Sequence, residues 1–364
     1  MKSTREKRVN PPTRSSARSP LVSIIIPHFN GVDILSDCLD SLDRSTYPRI
    51  EIIVVDNAST DGSPEWVQSN HPDVKLIRSS ENHGYAGGCN RGAKAAAGEY
   101  LLFLNNDTVH ESDWIEHLVE TLQKDSSVGA VQPKILNYFD RTLFDYAGGS
   151  GGLMDIFCFP FTRGRMFLAR ERDRGQYDDK RQIFWASGTA FLTKSSLFEA
   201  AGGLDEVFFA HQEEIDLQWR MQLMGFRIFV NPRSLIYHKN ALTLAVDSPK
   251  KKYLNHRNSL MMMLGNYNLP LTIYLFPIRL FLEFVAVVYA VALRDFKHVG
   301  AILKSLAWIV THPATIYRKR RKTKALRKLR DREVLQLLYK GSVVLDYYIL
   351  GKRRYSDLIP RHLR

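Results

Sequence analysis

Cysteine is scarce in this sequence. Three residues, Cys38, Cys89 and Cys158, are scattered over 364 positions with no C-x-x-C pair. That spacing argues against a zinc cluster and against a secreted disulfide framework, and fits a reducing compartment. The apolar core of a signal peptide is missing too: MKSTREKRVNPPTRSSARSP is polar and Pro/Ser-rich and reads as a disordered basic leader over 1–20 on a cytosolic protein. Neither G-x-G-x-x-G nor a Walker sequence occurs, so no dinucleotide or ATP is inferred. The most apolar stretch, 269–293, is broken by Pro277, Arg279 and Glu283. A clean membrane span needs roughly 18 uninterrupted apolar residues, so interfacial or re-entrant helices fit better than a full crossing.

What is present is globular: 45% hydrophobic and 24% charged residues, over a length that suits two domains or one large α/β domain with an appendage. The net charge of +13 is unevenly placed. Residues 1–20 carry +5, 318–332 carry +9 and 333–364 carry +3, leaving the body, 21–317, at −4. A basic nucleic-acid face over the main domain is therefore not expected, and no nucleic acid is expected as a partner. The basic run beside apolar helices suits an anionic membrane surface instead, at roughly 1 kcal/mol per cation near the headgroups.

From Leu21 the pattern is one of buried strands alternating with amphipathic helices. LVSIII stops at Pro27, and a helix follows over about 32–44. EIIVVD and VKLIRS are further strands with a helix at SPEWVQSN between them, and a helix over about 86–97 precedes EYLLFLNND. Continuous apolar strands in that order predict a mostly parallel sheet flanked by helices, an α/β fold. Ligands bind beyond the carboxyl ends of such strands. Here the ends are polar: PHFN, DNAST and NND can converge on one crevice. Residues 140–182 have weak periodicity and are expected to be a long insertion or mobile loop. FWASGTAFLTK reads as a strand, HQEEIDLQWRMQLMG as an acidic-headed helix ended by Gly225, and FRIFVNPRSLIYH as another strand.

Taken together, PHFN (27–30), IIVVDNASTDGS (52–63), ENHGYAGGCNRG (81–92), LLFLNNDT (101–108), WASGTAFLTK (185–194) and HQEEIDLQWR (211–220) resemble the family-2 glycosyltransferases with the GT-A fold, of the kind seen in rhamnosyltransferase-like enzymes of bacterial glycan synthesis. The resemblance implies an inverting transferase using a nucleotide-diphosphate sugar and a divalent cation, Mg²⁺ or Mn²⁺. It assigns Asp56 and Asn57 to the nucleotide base, with Asn30 as a ribose-side contact. The residues alone also permit an Asx-turn and a helix cap at Asp56 and Asp61. Where the family carries Asp-x-Asp, this chain has Asn105-Asn106-Asp107. Asp107 is left as the charged metal ligand, Asn105 faces the donor, and His238 at a strand end is a further candidate ligand. An acceptor hydroxyl must lose its proton to a base. The candidates are Glu214, which stands where relatives have Asp, then Asp216 and Glu213; the alternative is an acidic first turn favoured by the helix dipole. Gly87 and its neighbours Gly84, Gly88 and Gly92 would let backbone approach the donor. Trp185, Ser187 and Gly188 resemble the segment that lines the donor-sugar and acceptor pocket, and Arg257 is placed either at the diphosphate or on a solvated helix face.

The expectation is thus a GT-A domain over 21–262 followed by membrane-associated helices with a basic tail over 263–364, at the cytoplasmic face of the cell membrane, peripheral or monotopic. Its partners would be a nucleotide-sugar donor and a glycan or lipid-linked acceptor, and the sugar a hexose or deoxyhexose. The rivals are a non-catalytic nucleotide-sugar or membrane-binding scaffold and a nucleotidyltransferase.

Overall fold

The computed structural model describes residues 19–239 and 248–358. The elements run in this order: β1 (Val22–His28), α1 (Val32–Leu42), β2 (Ile50–Asp56), α2 (Ser63–Asn70), β3 (Lys75–Arg78), α3 (Gly84–Ala95), β4 (Tyr100–Leu104), β5 (Thr108–His110), α4 (Trp114–Lys124) and β6 (Val128–Asn137). β1, β4 and the second half of β2 are continuous apolar segments buried on both faces, which is why they read as unbroken runs rather than alternations, whereas β6 is equally buried but carries Gln132, Lys134 and Asn137. The expected strand stop at Pro27 is not observed: β1 runs on to His28. Its pairing with β4 ends at Ile25, while its pairing with β2 continues to His28, so the proline falls beyond the β4 ladder.

Residues 140–182 are not a mobile loop. They fold into a small antiparallel sheet of β7 (Gly152–Met154), β8 (Pro160–Thr162), β9 (Arg165–Met166) and β10 (Ala169–Arg170). β11 (Arg181–Ile183), β12 (Ala190–Lys194), α5 (Ser195–Ala200), α6 (Glu213–Leu223) and β13 (Arg227–His238) complete the main body. Only the second half of the segment expected as a strand from Phe184 is extended, because Ser187 closes a turn with Ala190 N donating to its carbonyl at 3.1 Å. The nine-stranded sheet has the order β11-β13-β6-β12-β4-β1-β2-β3, with β5 added against β13. β3, β2, β1 and β4 are mutually parallel, and β12 runs antiparallel between β4 and β6. The chain leaves β1 towards β2 and β3, then returns to β4 on the other side. That switch point opens a crevice at the strand ends.

Four longer helices follow: α7 (Pro249–Asn266), α8 (Leu269–Ala292), α9 (Phe296–Thr311) and α10 (Pro313–Leu326). α7 runs through position 262, and one core cluster joins Trp185, Trp219, Met261, Leu275 and Leu338, so side chains from the body and from the C-terminal helices close a single hydrophobic centre. α8 is one continuous 24-residue helix through Pro277, and it is the one described helix long and apolar enough to cross a membrane by length and composition. Its two charges do not face outward. Arg279 and Glu283 are buried and paired at 2.5 Å, four residues apart, and Arg279 lies over the Phe159 ring. The opposite face exposes Ile273, Tyr274, Phe281 and Phe284.

Candidate active site

The three polar strand ends do converge. Asn57 N donates to His28 O at 2.8 Å, and Asn106 Nδ2 lies 2.8 Å from His28 Nδ1, tying β2, β1 and the β4 exit together. Asp56 is buried and accepts from Ser59 N at 3.2 Å, the Asx-turn that its residue type allows. Asn30 holds the same loop: its N–H donates to Ser59 Oγ and its Oδ1 accepts from Thr60 N, both at 2.9 Å. Asp61 accepts from Gly31 N at 2.5 Å and from Ser63 N at 3.1 Å. It therefore clamps the loop after β1 to the start of α2. Burial acts against the Asp61 charge, but these hydrogen bonds outweigh it and hold the carboxyl at about 2. Asn57 donates to Gly84 O at 3.3 Å, and its buried Oδ1 has no hydrogen-bond partner.

The glycines of α3 serve packing first. A Cβ on Gly92 would lie 2.3 Å from Ile25 Cγ2, and one on Gly88 would lie 2.9 Å from Pro27 Cβ and 3.0 Å from Asn57 Nδ2. Gly84 has φ +70°, and a Cβ there would meet Phe209 O at 2.3 Å. Gly87 faces His83 and Arg91 of its own helix. The expected approach of this backbone to the donor is thus replaced, at Gly92 and Gly84, by approach to the sheet and to the loop before α6.

Asp107 and His238 meet where β4 ends and β13 ends. His238 Nε2 is 3.0 Å from Asp107 Oδ1 and 3.5 Å from Asn105 Nδ2, while its Nδ1 is 2.9 Å from Asp145 Oδ1. Burial alone would keep this imidazole neutral, but the two carboxylates outweigh it and raise the pKa to about 10. Burial likewise opposes ionisation of Asp107, and His238 overcomes it, so that carboxyl sits below its usual value. Asp107 Oδ1 is fully buried and, despite its 3.0 Å approach to His238, meets no donor at a hydrogen-bonding angle. With its raised pKa the ring is an imidazolium as it stands, and a divalent cation would have to displace its Nε2 proton. With that proton gone, the Asp107 oxygen, the ring nitrogen and Asp145 on the other ring nitrogen, the gripping carboxylate, would make a donor set that suits such an ion completed by phosphate oxygens. Asp145, the gripping group, was not found from sequence: it lies in the aperiodic insertion, where no spacing signals it.

The acidic helix α6 reaches the same crevice through the turn at 187–189. Asn105 N donates to Thr189 O at 2.9 Å, and Gly188 N donates to Glu214 Oε1 at 3.4 Å. Ser187 Oγ donates to Ala147 O at 2.7 Å, and Ala147 N donates to Asp145 at 2.6 Å, so the turn also abuts the His238 pair. Tyr85, missed from sequence, fixes the turn by donating to Gly188 O at 2.5 Å. Glu213 and Glu214 both have raised pKa values. Burial is the leading cause for each, and the Glu214 charge adds to it at Glu213.

Three expectations are corrected here. Asp216 is fully buried and committed elsewhere: Lys319 Nζ lies 2.6 Å from Oδ1, Arg220 Nε 3.1 Å from Oδ2, and Asn266 Nδ2 donates at 2.8 Å. Those cations outweigh burial and hold it ionised, so it anchors the helix rather than facing the crevice. Trp185 does not line a pocket. Its ring is buried against Gly152 and its Nε1 donates to Leu153 O at 2.8 Å, which fastens the small sheet to the core. Arg257 is neither on a solvated face nor among the strand-end groups: it is buried and donates to Val207 O and Phe208 O at 2.8 and 2.9 Å.

The sheet order, the flanking helices and the crevice at the strand ends are those of a GT-A architecture. Residues 23–200 match the family described as Glycosyl transferase family 2, and the chain belongs to that family through this region. It is 31% identical over 254 residues to the O-antigen biosynthesis protein RfbC of Myxococcus xanthus, covering 68% of this chain and 19% of that protein. It is 25% identical over 245 residues to the N-acetylglucosaminyl-diphospho-decaprenol L-rhamnosyltransferase of Mycobacterium tuberculosis, covering 63% of this chain and 80% of that one. The mannosyltransferase PcManGT from Pyrobaculum calidifontis, solved with GDP-Man and Mn²⁺, shares the fold at TM-score 0.51 and 18% identity, over 88% of this chain and 84% of that chain.

Proposed function

We propose that the protein transfers a hexosyl or deoxyhexosyl group from a nucleotide-diphosphate donor to a hydroxyl of a glycan or lipid-linked acceptor, with inversion, in bacterial cell-envelope polysaccharide synthesis. The observation that carries the reading is the joining, by one turn at 187–189, of the Asp107–His238–Asp145 set to the pair of buried Glu213 and half-buried Glu214. The names of the bacterial relatives, in O-antigen synthesis and in rhamnosyl transfer to a lipid-linked sugar, support the acceptor class.

In this reading Asn30, Asp56 and Asn57 hold the base and ribose at the β1 and β2 ends. Asp107 and His238 hold a divalent cation, with Asp145 fixing the imidazole orientation. When bound, the ion neutralises the charge of the leaving diphosphate. Glu214 accepts the proton of the acceptor hydroxyl. That oxygen bonds to the anomeric carbon as the bond to the diphosphate oxygen breaks on the opposite face, and the proton remains on Glu214. The apolar outer face of α8 supports attachment at the cytoplasmic side of the membrane, where nucleotide sugars are made.

The test is a nucleotide-sugar panel read by thermal stabilisation with Mg²⁺ or Mn²⁺, followed by transfer assays. Asp107→Asn is expected to abolish metal-dependent stabilisation. Glu214→Gln should keep donor binding and lose turnover by about 10²- to 10⁴-fold. Unchanged transfer in both variants would refute the site.

A further inference from the structure

A second cleft, of about 620 Å³, lies where α7 and α9 pack together. Lys250, Tyr253 and Arg257 line it from α7, Lys297 and Lys304 from α9, and Phe209 stands at its edge. The α7 residues are three and four positions apart and the two α9 lysines seven, two turns, so each set shares one face. Among the described residues four cations line the space and no carboxylate does. The acids near α7 are taken by its other face, where Lys252 pairs with Asp295 at 2.6 Å and His256 with Glu283 at 2.7 Å. Rings flank three of these cations: Lys250 lies 4.2 Å from the Phe209 centroid, Lys304 5.0 Å and Arg257 5.3 Å from that of Tyr253, and Arg257 is also held by backbone carbonyls. Four like charges lining one hollow repel one another unless an anion enters.

Two further observations define the anion. The neighbouring surface is apolar, with Phe296, Leu303 and Val310 of α9 exposed, so the ligand has a chain that prefers a bilayer as well as a charged head. The cleft is also built onto the loop that leads into α6. Arg257 donates to the carbonyls of Val207 and Phe208, and Asn258 Nδ2 to those of Ala210 at 3.0 Å and His211 at 2.6 Å. Glu214 is five positions beyond Phe209.

We propose that this cleft binds the diphosphate of a lipid-linked acceptor and thereby delivers the acceptor's sugar hydroxyl to Glu214. The inference rests on the transferase reading for the role of Glu214, but not for the binding of the head group. Gly300 in the cleft offers a clean probe, since a Cβ added there meets no atom within 4 Å. Gly300→Leu therefore narrows the hollow without changing its charge.

The full-length protein is to be bound to phosphatidylcholine vesicles doped with decaprenyl diphosphate, and in parallel to vesicles given the same charge by phosphatidylglycerol. Lys297→Gln/Lys304→Gln and Gly300→Leu are each expected to weaken binding to decaprenyl diphosphate by about tenfold or more. Gly300→Leu should leave phosphatidylglycerol binding unchanged. Wild-type binding of decaprenyl diphosphate by Gly300→Leu, or equal loss on both vesicles, overturns the proposal and leaves only a basic surface for anionic lipid. Nucleotide-sugar stabilisation measured on the same proteins separates the two readings. If it persists while the vesicle result fails, only the cleft is refuted. If it is absent from every variant while decaprenyl diphosphate binds as expected, the transferase reading fails and the cleft stands.

Discussion

Glu213 and Glu214 illustrate how one residue's position decides two properties at once. Burial raises both pKa values above the ordinary 4.5. A base must be ionised to work, so activity is expected to rise with pH along a limb that lies above the usual carboxylate range. The same ionisation acts against folding. A carboxyl whose folded pKa is raised stabilises the fold below its unfolded value and loses that contribution as pH climbs through the folded one. Glu214→Gln should therefore melt higher than the wild type at neutral pH, with the difference fading as pH falls towards 4, even as turnover is lost; a melting series across pH checks this. Asp107, His238 and Glu214 stood out in the sequence because a strand end and an acidic helix start are local patterns and because the family resemblance marks those positions. Asp145 was not, since its partner lies 93 positions away and its own surroundings have no period. Trp185 misled for a related reason: an indole beside Ser-Gly-Thr looks like a pocket wall until Gly152, brought in by the insertion, is seen to lie against it.

At the level of elements, α3 shows what a glycine-rich helix is for when it carries no phosphate motif. Its close seat on the sheet depends on Gly92, where a methyl group would enter the space of Ile25. Gly92→Ala should cost about 1–3 kcal/mol of stability through overpacking, despite alanine's better helix propensity. Urea unfolding would show it as a lower midpoint with the same slope. The strands and helices of the first hundred residues were readable nearly to their ends, because buried parallel strands are continuous apolar runs with polar stops. The small sheet of β7 to β10 was invisible: its strands are two or three residues long, too short to show any alternation.

For the whole molecule, the basic stretch at 318–332 is the largest revision. On sequence it was a membrane-facing patch; in the fold, α10 divides it. Arg318, Arg321 and Lys322 are exposed, but Lys319 is buried beneath α6, within 3.3 Å of Asp205 and 2.6 Å of Asp216. Arg320 is turned inward to Leu264 O and Thr272 Oγ1, and Arg327 to Asn266 O. Charge along a helix is legible as composition, whereas which side of it faces the protein depends on partners 48 to 114 residues away. Removing one member of a buried ion-pair network strands the others, so Lys319→Met should destabilise the fold by about 3–5 kcal/mol. Thermal unfolding tests it, and a change within half a kcal/mol would show that the network contributes little.

The Lys319–Asp216 pair also sets an order of events during biosynthesis. Asp216 is made about a hundred residues before the cation that neutralises it, which at ribosomal speeds is an interval of roughly 5–20 s. Over that time α6 has Arg220 alone to offset a carboxylate that its final position buries. The contacts that fix the helix bearing Glu214 are therefore complete only after α10 has emerged, so that in the proposed reading the capacity to activate an acceptor arises with the C-terminal helices, not ahead of them.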